Sequence, residues 1–222
     1  MTAKIMMNPQ EQTNSFLTRG IINLDISIRC TLECPKCSRQ TDFKGIRPIP
    51  GHDMTIEEYR KIINFFPRVM MCGQVSDPIF NKNFPEFVKM SKDKDIELGV
   101  HTAASHKPIK FYENIFDSFG KGYWIFGIDG LPKDSHKYRI NQDGEKLFEI
   151  AKMCRKKGID TKWQYIVFRY NENDIEEAKN MALDNGMEFE LTSSSRWDEN
   201  DPYRPINPKY QIDKTKDYVK KN

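Results

Sequence analysis

Ile21-Ile22-Asn23-Leu24-Asp25-Ile26-Ser27-Ile28-Arg29 runs directly into Cys30-Thr31-Leu32-Glu33-Cys34-Pro35-Lys36-Cys37. After its first residue the first half alternates, with Ile22, Leu24, Ile26 and Ile28 on one face and Asn23, Asp25 and Ser27 on the other. Period two reads as a β-strand. A parallel strand covered by apolar layers on both faces does not alternate in this way. A strand whose second face lines a wet cavity does. The second half places three cysteines, spaced C-x3-C-x2-C, on the loop that leaves this strand. Thiolates are soft ligands suited to zinc or to iron–sulfur clusters. Three on one short loop can hold three corners of a four-iron cube, and the fourth iron then has no protein ligand. An open iron is a place where a small molecule can bind metal and be reduced. The competing reading is a three-cysteine zinc knuckle completed by a histidine such as His52.

Outward from that loop, Ser38 to Asp53 is polar and broken by Pro48, Pro50 and Gly51. Thr55, with Glu58 three residues on, forms a capping-box signature. It opens a helix whose apolar positions are Tyr59, Ile62, Ile63 and Phe66, ending at Pro67. One grammar then repeats. The pattern predicts strands over Val69–Cys72, Ile96–Thr102, Tyr123–Asp129, Thr161–Tyr170 and Met187–Thr192. Helices are predicted between them over Phe84–Lys92, Ile109–Phe119, Glu145–Lys157 and Asp174–Asn185, the last closed by Gly186. Six strands alternating with helices predict an α/β fold with a parallel sheet and right-handed crossovers. Six units rather than eight imply an incomplete (β/α)6 TIM-like barrel, open on one side. Chemistry in such barrels sits on the loops after the C-terminal ends of the strands, where the cysteine loop lies.

The 222 residues suffice for one substantial core, which predicts one main domain over residues 21–196. Residues 1–20 read as a polar lead-in, and residues 197–222 as a surface-wrapping tail with three prolines and no cysteine. With 35 basic and 32 acidic residues, the net charge of +3 gives no argument for a nucleic-acid partner. At a mean hydropathy of −0.71 no run approaches a membrane span, and Met1–Gly20 lacks the apolar centre of a signal peptide. Five cysteines, three of them in one loop, do not read as a disulfide framework, so a reducing cytoplasm is the expected compartment. Cys154 falls on the apolar face of its helix with Leu147, Ile150 and Ala151 and is expected in the core.

The C-x3-C-x2-C loop, together with Gly73–Pro78, Asp129-Gly130 and Trp163–Gly186, resembles the radical S-adenosylmethionine (SAM) superfamily over roughly residues 21–196. The likeness is to the branch whose members often carry a SPASM or Twitch extension. The tail here lacks the cysteines that would hold an auxiliary cluster. The resemblance implies that Cys30, Cys34 and Cys37 ligate a 4Fe–4S cluster whose free iron takes the amino and carboxylate groups of SAM. It implies SAM contacts from Gly73, Asp77, Asp129, Arg139, Asn171 and Arg196. Arg139 suits bidentate pairing with the SAM carboxylate. Asn171 has a second reading as a helix cap, and Arg196 as part of a surface loop. Arg39 faces either the cluster or the solvent.

Five positions depart from the family's pattern. Lys36 stands where an aromatic residue usually stacks near the adenine, Asp77 replaces a glutamate, Ala103-Ala104 replaces Asn-Gly, and Gly127 replaces a serine. His101 is expected to face the cavity as a substrate contact or proton donor. Cys72, ending a strand beside the Gly73 loop, is a candidate hydrogen-atom donor or else a buried core cysteine.

The implied chemistry is reductive cleavage of SAM to methionine and a 5′-deoxyadenosyl radical, which abstracts hydrogen from a peptide or small-metabolite substrate. Flavodoxin or ferredoxin is the implied electron donor. Within the superfamily a glycyl-radical activase or a compact purine-analogue synthase fits the same residues. From another class, a non-catalytic iron–sulfur or zinc protein is the alternative.

Overall fold

The computed structural model describes residues 20–46 and 48–212. Its strands are β1 (Ile21–Leu24), β2 (Arg68–Cys72), β3 (Glu97–Thr102), β4 (Lys121–Gly127), β5 (Asp160–Ile166) and β6 (Glu188–Thr192). The helices are α1 (Ser38–Thr41), α2 (Ile56–Ile63), α3 (Phe84–Asp93), α4 (Ile109–Ser118), α5 (Gly144–Lys156) and α6 (Ile175–Asp184). The sheet is parallel throughout, in the order β1-β2-β3-β4-β5-β6. Sequential order with a helix in each crossover from β1 to β6 is the arrangement of a partial (β/α) barrel, as the sequence grammar predicts.

Alternation along each strand sorts the side chains. Val69, Met71, Leu98, Val100, Trp124, Phe126, Trp163 and Tyr165 are buried under the helices. Aromatic contacts knit this layer: Trp124 meets Phe84 at 6.0 Å and Phe116 at 5.1 Å, and Trp163 meets Phe148 at 5.1 Å between ring centroids. Trp163 Nε1 also donates to Ile128 O at 2.8 Å, which satisfies the indole inside the core. Cys154 is fully buried in the same layer, and burial pushes its thiol up to about 12. The other face of the strands carries Cys72, His101, Ile125, Gln164 and Ile166 into a cavity.

Helix α2 starts as its capping box predicts. The Glu58 amide donates to Thr55 Oγ1 at 3.3 Å, and the Thr55 amide to Glu58 Oε2 at 2.8 Å. Strand β1 is shorter than the alternation predicts because its neighbours change after Leu24. Met54 N donates to Ile26 O at 3.0 Å and Ile49 N to Ile28 O at 3.2 Å. The segment before α2 thus supplies the partners that a longer β2 would have given. Arg29 is paired with Asp53 and also donates to Phe80 O at 3.0 Å.

Candidate active site

The loops leaving the C-terminal ends of the strands enclose a cavity of about 330 Å³. Cys30, Cys34 and Cys37 line it together, at the mouth of the barrel where the sequence places them. Their loop is held from within. Arg39 is 2% exposed; its guanidinium donates to Cys30 O at 2.5 Å and also to Leu32 O. It therefore lies inside the loop, bonding carbonyls and lining the cavity, and is no surface cation. The first turn of the loop is fixed across the barrel by Glu33 N donating to Ile140 O at 3.0 Å. Burial, with the nearby Asp77, pushes the Cys30 thiol up to about 12, and burial pushes Cys34 up to about 11.

Beyond β2 the chain turns tightly at Gly73. A Cβ there would sit 1.9 Å from Ser76 O, so only glycine admits this approach of the loop to itself. Asp25, from the polar face of the first strand, fastens the turn. Its carboxylate accepts from Gln74 N at 3.0 Å and from the Ser76 hydroxyl. Asp77 lines the cavity but is already engaged: it accepts from Thr102 Oγ1 at 2.9 Å, Ala103 N at 2.9 Å and Ala104 N at 3.1 Å. It is 4% exposed, and burial pushes its carboxyl up against the pull of these donors. Ala103 and Ala104 thus present backbone amides to a carboxylate that ties β2 to β3.

The departure at Gly127 has a physical cause. A Cβ there would lie 2.8 Å from Arg139 Nη2 and 3.0 Å from Arg139 Cζ. The guanidinium occupies the space that a serine side chain would take. Arg139 Nε pairs with Asp129 Oδ2 at 2.7 Å, with side-chain exposures of 13% and 0%. Burial opposes the Arg139 charge, but the Asp129 carboxylate and Cys34 beside it raise its pKa. Arg139 lines the cavity; Asp129 does not. The Asp129 carboxylate pairs with Arg139 and accepts from Ile166 N at 2.9 Å, which makes it a support for the guanidinium. Gln142, which sequence reasoning passed over, staples two strand ends by donating to Ala103 O at 2.6 Å and Gly127 O at 2.9 Å. Nothing in its local sequence marks it.

Asn171 is engaged within its own turn. It is fully buried away from the cavity, accepting from Phe168 N at 2.7 Å and donating to Ile166 O at 3.0 Å. It shapes the turn after β5. Arg196 lines the cavity from an exposed position. Cys72 and His101 are register partners on β2 and β3 and both line the wall. Burial pushes Cys72 up and lowers His101, whose Nε2 is buried without a partner. The wall therefore offers a protonated thiol beside a neutral imidazole. His101 near neutral pH is therefore a neutral hydrogen-bonding group.

A family model described as the Radical SAM superfamily matches residues 24–182. The chain belongs to the radical SAM superfamily. Over 193 residues it is 24% identical to a 7,8-dihydro-6-hydroxymethylpterin dimethyltransferase of Methanocaldococcus jannaschii, covering 79% of this chain and 37% of that protein. SuiB of Streptococcus suis, solved with S-adenosylmethionine, aligns with a TM-score of 0.66 at 13% identity, covering 84% of this chain and 43% of that one. Methylornithine synthase (PylB) aligns with a TM-score of 0.60 at 15% identity, covering 85% of this chain and 58% of that one. The chain spans 37% of the curated relative and 43% and 58% of these two structures. At these identities the structures show the shared partial barrel, and the family places the chain among radical SAM enzymes.

The residues present suit that superfamily's cofactors. Three thiols share one cavity with the guanidinium groups of Arg39 and Arg139, a set of soft sulfur donors with cationic surroundings. Among the described residues no three His, Cys, Asp or Glu side chains converge on the position of a single ion. A cube is held corner by corner and does not require such convergence. His52, the histidine a zinc knuckle would need, points to Glu58 at 3.0 Å and is 71% exposed, outside the cavity. The Gly73 turn adds a cradle beside the thiols that no larger residue permits.

Proposed function

We propose that this radical SAM protein cleaves S-adenosylmethionine reductively and uses the resulting radical to abstract hydrogen from a polar small metabolite or peptide. One observation carries the reading: the three thiols of the C-x3-C-x2-C loop line the same cavity as the Gly73 turn and Arg139. Cys30, Cys34 and Cys37 would hold the 4Fe–4S cluster, and the Gly73 turn, Arg139 and Arg196 would surround SAM. When bound, these cofactors supply one-electron cleavage of the sulfonium to methionine and a 5′-deoxyadenosyl radical. The chain's own residues position and enclose. Arg39 fixes the cysteine loop through its carbonyls, Asp77 joins the strand ends, and the Asp129–Arg139 pair holds a guanidinium at the cavity wall.

The substrate side of the cavity is the wall bearing Cys72, His101, Ile125 and Gln164. A neutral imidazole and a side-chain amide suit a polar substrate that need carry no net charge. Cys72, on this wall and kept as a thiol by burial, would return a hydrogen atom through its S–H. SuiB has been solved with its precursor peptide SuiA, which favours a peptide; the pterin dimethyltransferase favours a nitrogen heterocycle. A cavity of about 330 Å³ is at the small end for a ligand site, so the substrate would approach the cofactors from the open side. Flavodoxin or ferredoxin is the proposed electron donor, and the cytoplasm the proposed compartment. The test is anaerobic reconstitution with iron and sulfide, then dithionite and SAM. Formation of 5′-deoxyadenosine that disappears in Cys34→Ala supports the reading; a reconstituted protein forming none is evidence against it.

A further inference from the structure

Lys36 sits between Pro35 and the ligand Cys37, where the resembling family usually has an aromatic residue. Its ammonium forms an ion pair with Asp201 of the C-terminal segment, and a second, longer contact with Asp198 at 4.0 Å. Asp201 is the less expected partner: its side chain is only 2% exposed, against 28% for Lys36. Its other carboxylate oxygen accepts from Tyr203 N at 2.9 Å, which fixes the turn that presents it. The same segment is fastened to the turn after β5, where Arg169 N donates to Tyr203 O at 3.0 Å and Arg169 Nε to Arg204 O at 3.2 Å. Further on, Asn207 N donates to Glu172 Oε2 at 2.9 Å.

An aromatic layer completes the seat. Tyr138 and Phe168 meet at a tilt with centroids 4.2 Å apart, Trp197 meets Phe168 at 5.1 Å, and Tyr203 meets Tyr138 at 5.1 Å. Cys34 packs against this layer. The aromatic surface missing at position 36 is therefore built beside the cysteine loop from other parts of the chain, the C-terminal segment among them. The lysine is thereby free to reach outward.

We propose that residues 197–210 are a clamp on the cysteine loop, with Lys36 and Asp201 as positioning residues that set Cys34 and Cys37. Seated in the aromatic layer by Trp197 and Tyr203 and tied to Lys36 by Asp201 between them, the segment restrains the loop from outside as Arg39 does from inside. The purpose of the clamp rests on the cluster reading above, but the clamp itself is a property of the metal-free chain.

The test uses the full metal-free chain under reducing, oxygen-free conditions. Iodoacetamide alkylation is followed at each cysteine by peptide mass spectrometry, in the parent and in Lys36→Met, Asp201→Asn and Lys36→Arg. Expected is faster alkylation of Cys34 and Cys37, roughly 5- to 30-fold, in Lys36→Met and Asp201→Asn, with rates near the parent in Lys36→Arg. Cys154, fully buried in the core, reports the fold as a whole and is expected to stay unchanged. Unchanged rates at Cys34 and Cys37, even if proteases then remove the segment faster, would overturn the proposal, because the pair would hold only the tail. A rise at Cys154 equal to that at Cys34 and Cys37 in both charge-removing variants overturns it equally. If Asp201→Asn alone disturbs Cys154, the more exposed Lys36→Met decides.

Discussion

Asp129→Asn deletes one charge while keeping the size of the side chain. The carboxylate is fully buried, and its Oδ2 lies 2.7 Å from Arg139 Nε, whose side chain is 13% exposed. Its Oδ1 accepts from Ile166 N at 2.9 Å, a bond the asparagine carbonyl can keep. What is lost is the countercharge of a guanidinium that cannot shed its proton. Removing one partner of a buried pair costs about 3–5 kcal/mol. In a chain of this size each kcal/mol moves Tm by about 2–4 °C, so the expected fall is roughly 6–20 °C. Asp95→Asn is the control, since Asp95 is 86% exposed in its pair with Lys121 and surface pairs contribute about 0–1 kcal/mol. Urea denaturation of the metal-free protein followed by circular dichroism measures both. Adding Arg139→Met to Asp129→Asn should recover much of the loss, with a coupling of about 2 kcal/mol or more. A loss below about 1 kcal/mol in Asp129→Asn, or no recovery in the double variant, would refute the claim that this buried pair holds the guanidinium at the cavity wall.

Gly73→Ala puts a methyl 1.9 Å from Ser76 O and should abolish SAM binding by calorimetry at a cost of about 1–3 kcal/mol in stability; unchanged binding contradicts the cradle. Gly127→Ser restores the family's residue yet should destabilise, by about 1–3 kcal/mol, because its Cβ meets the Arg139 guanidinium at 2.8 Å; a stabilised protein contradicts this. His101 has a pKa lowered from 6.5 by burial, so its neutral form is favoured by folding. Its contribution is complete above pH 6.5 and is lost as pH falls through the depressed folded-state value. His101→Asn should flatten stability against pH in that acidic window, and an unchanged slope in urea titrations would show that the imbalance lies elsewhere.

The strand–helix grammar was legible because each crossover has its own apolar period, and the capping box at Thr55 appears as two mutual hydrogen bonds. The cavity-facing positions were legible too: alternation in Ile96–Thr102 puts His101 opposite Val100, and the structure keeps that division. Legibility ended where partners come from distant segments. Nothing near Ser38–Thr41 marks a helix, and Arg39 is told from a surface cation only by the carbonyls that fold around it. Asp129 and Arg139 each read as a ligand contact, and the ion pair between them, ten residues apart, shows only in the fold. Asn171 read both as a cofactor contact and as a cap; its side chain bonds Phe168 N and Ile166 O, within five residues. The tail's described part, expected to wrap the surface, seats Trp197 and Asp201 against the loops. Residues 1–19 and 213–222, the lead-in and the charged tail end, lie outside the described residues.

The central claim is that three thiols near residue 30 leave one iron of a cube open to SAM. Electron paramagnetic resonance of the anaerobically reconstituted, dithionite-reduced protein, with and without SAM, tests it most directly. A reduced 4Fe–4S signal whose g-values change on adding SAM, and which is absent from Cys34→Ala, is the predicted result. A protein that retains one zinc per chain and no cluster, or a cluster signal indifferent to SAM, would contradict it.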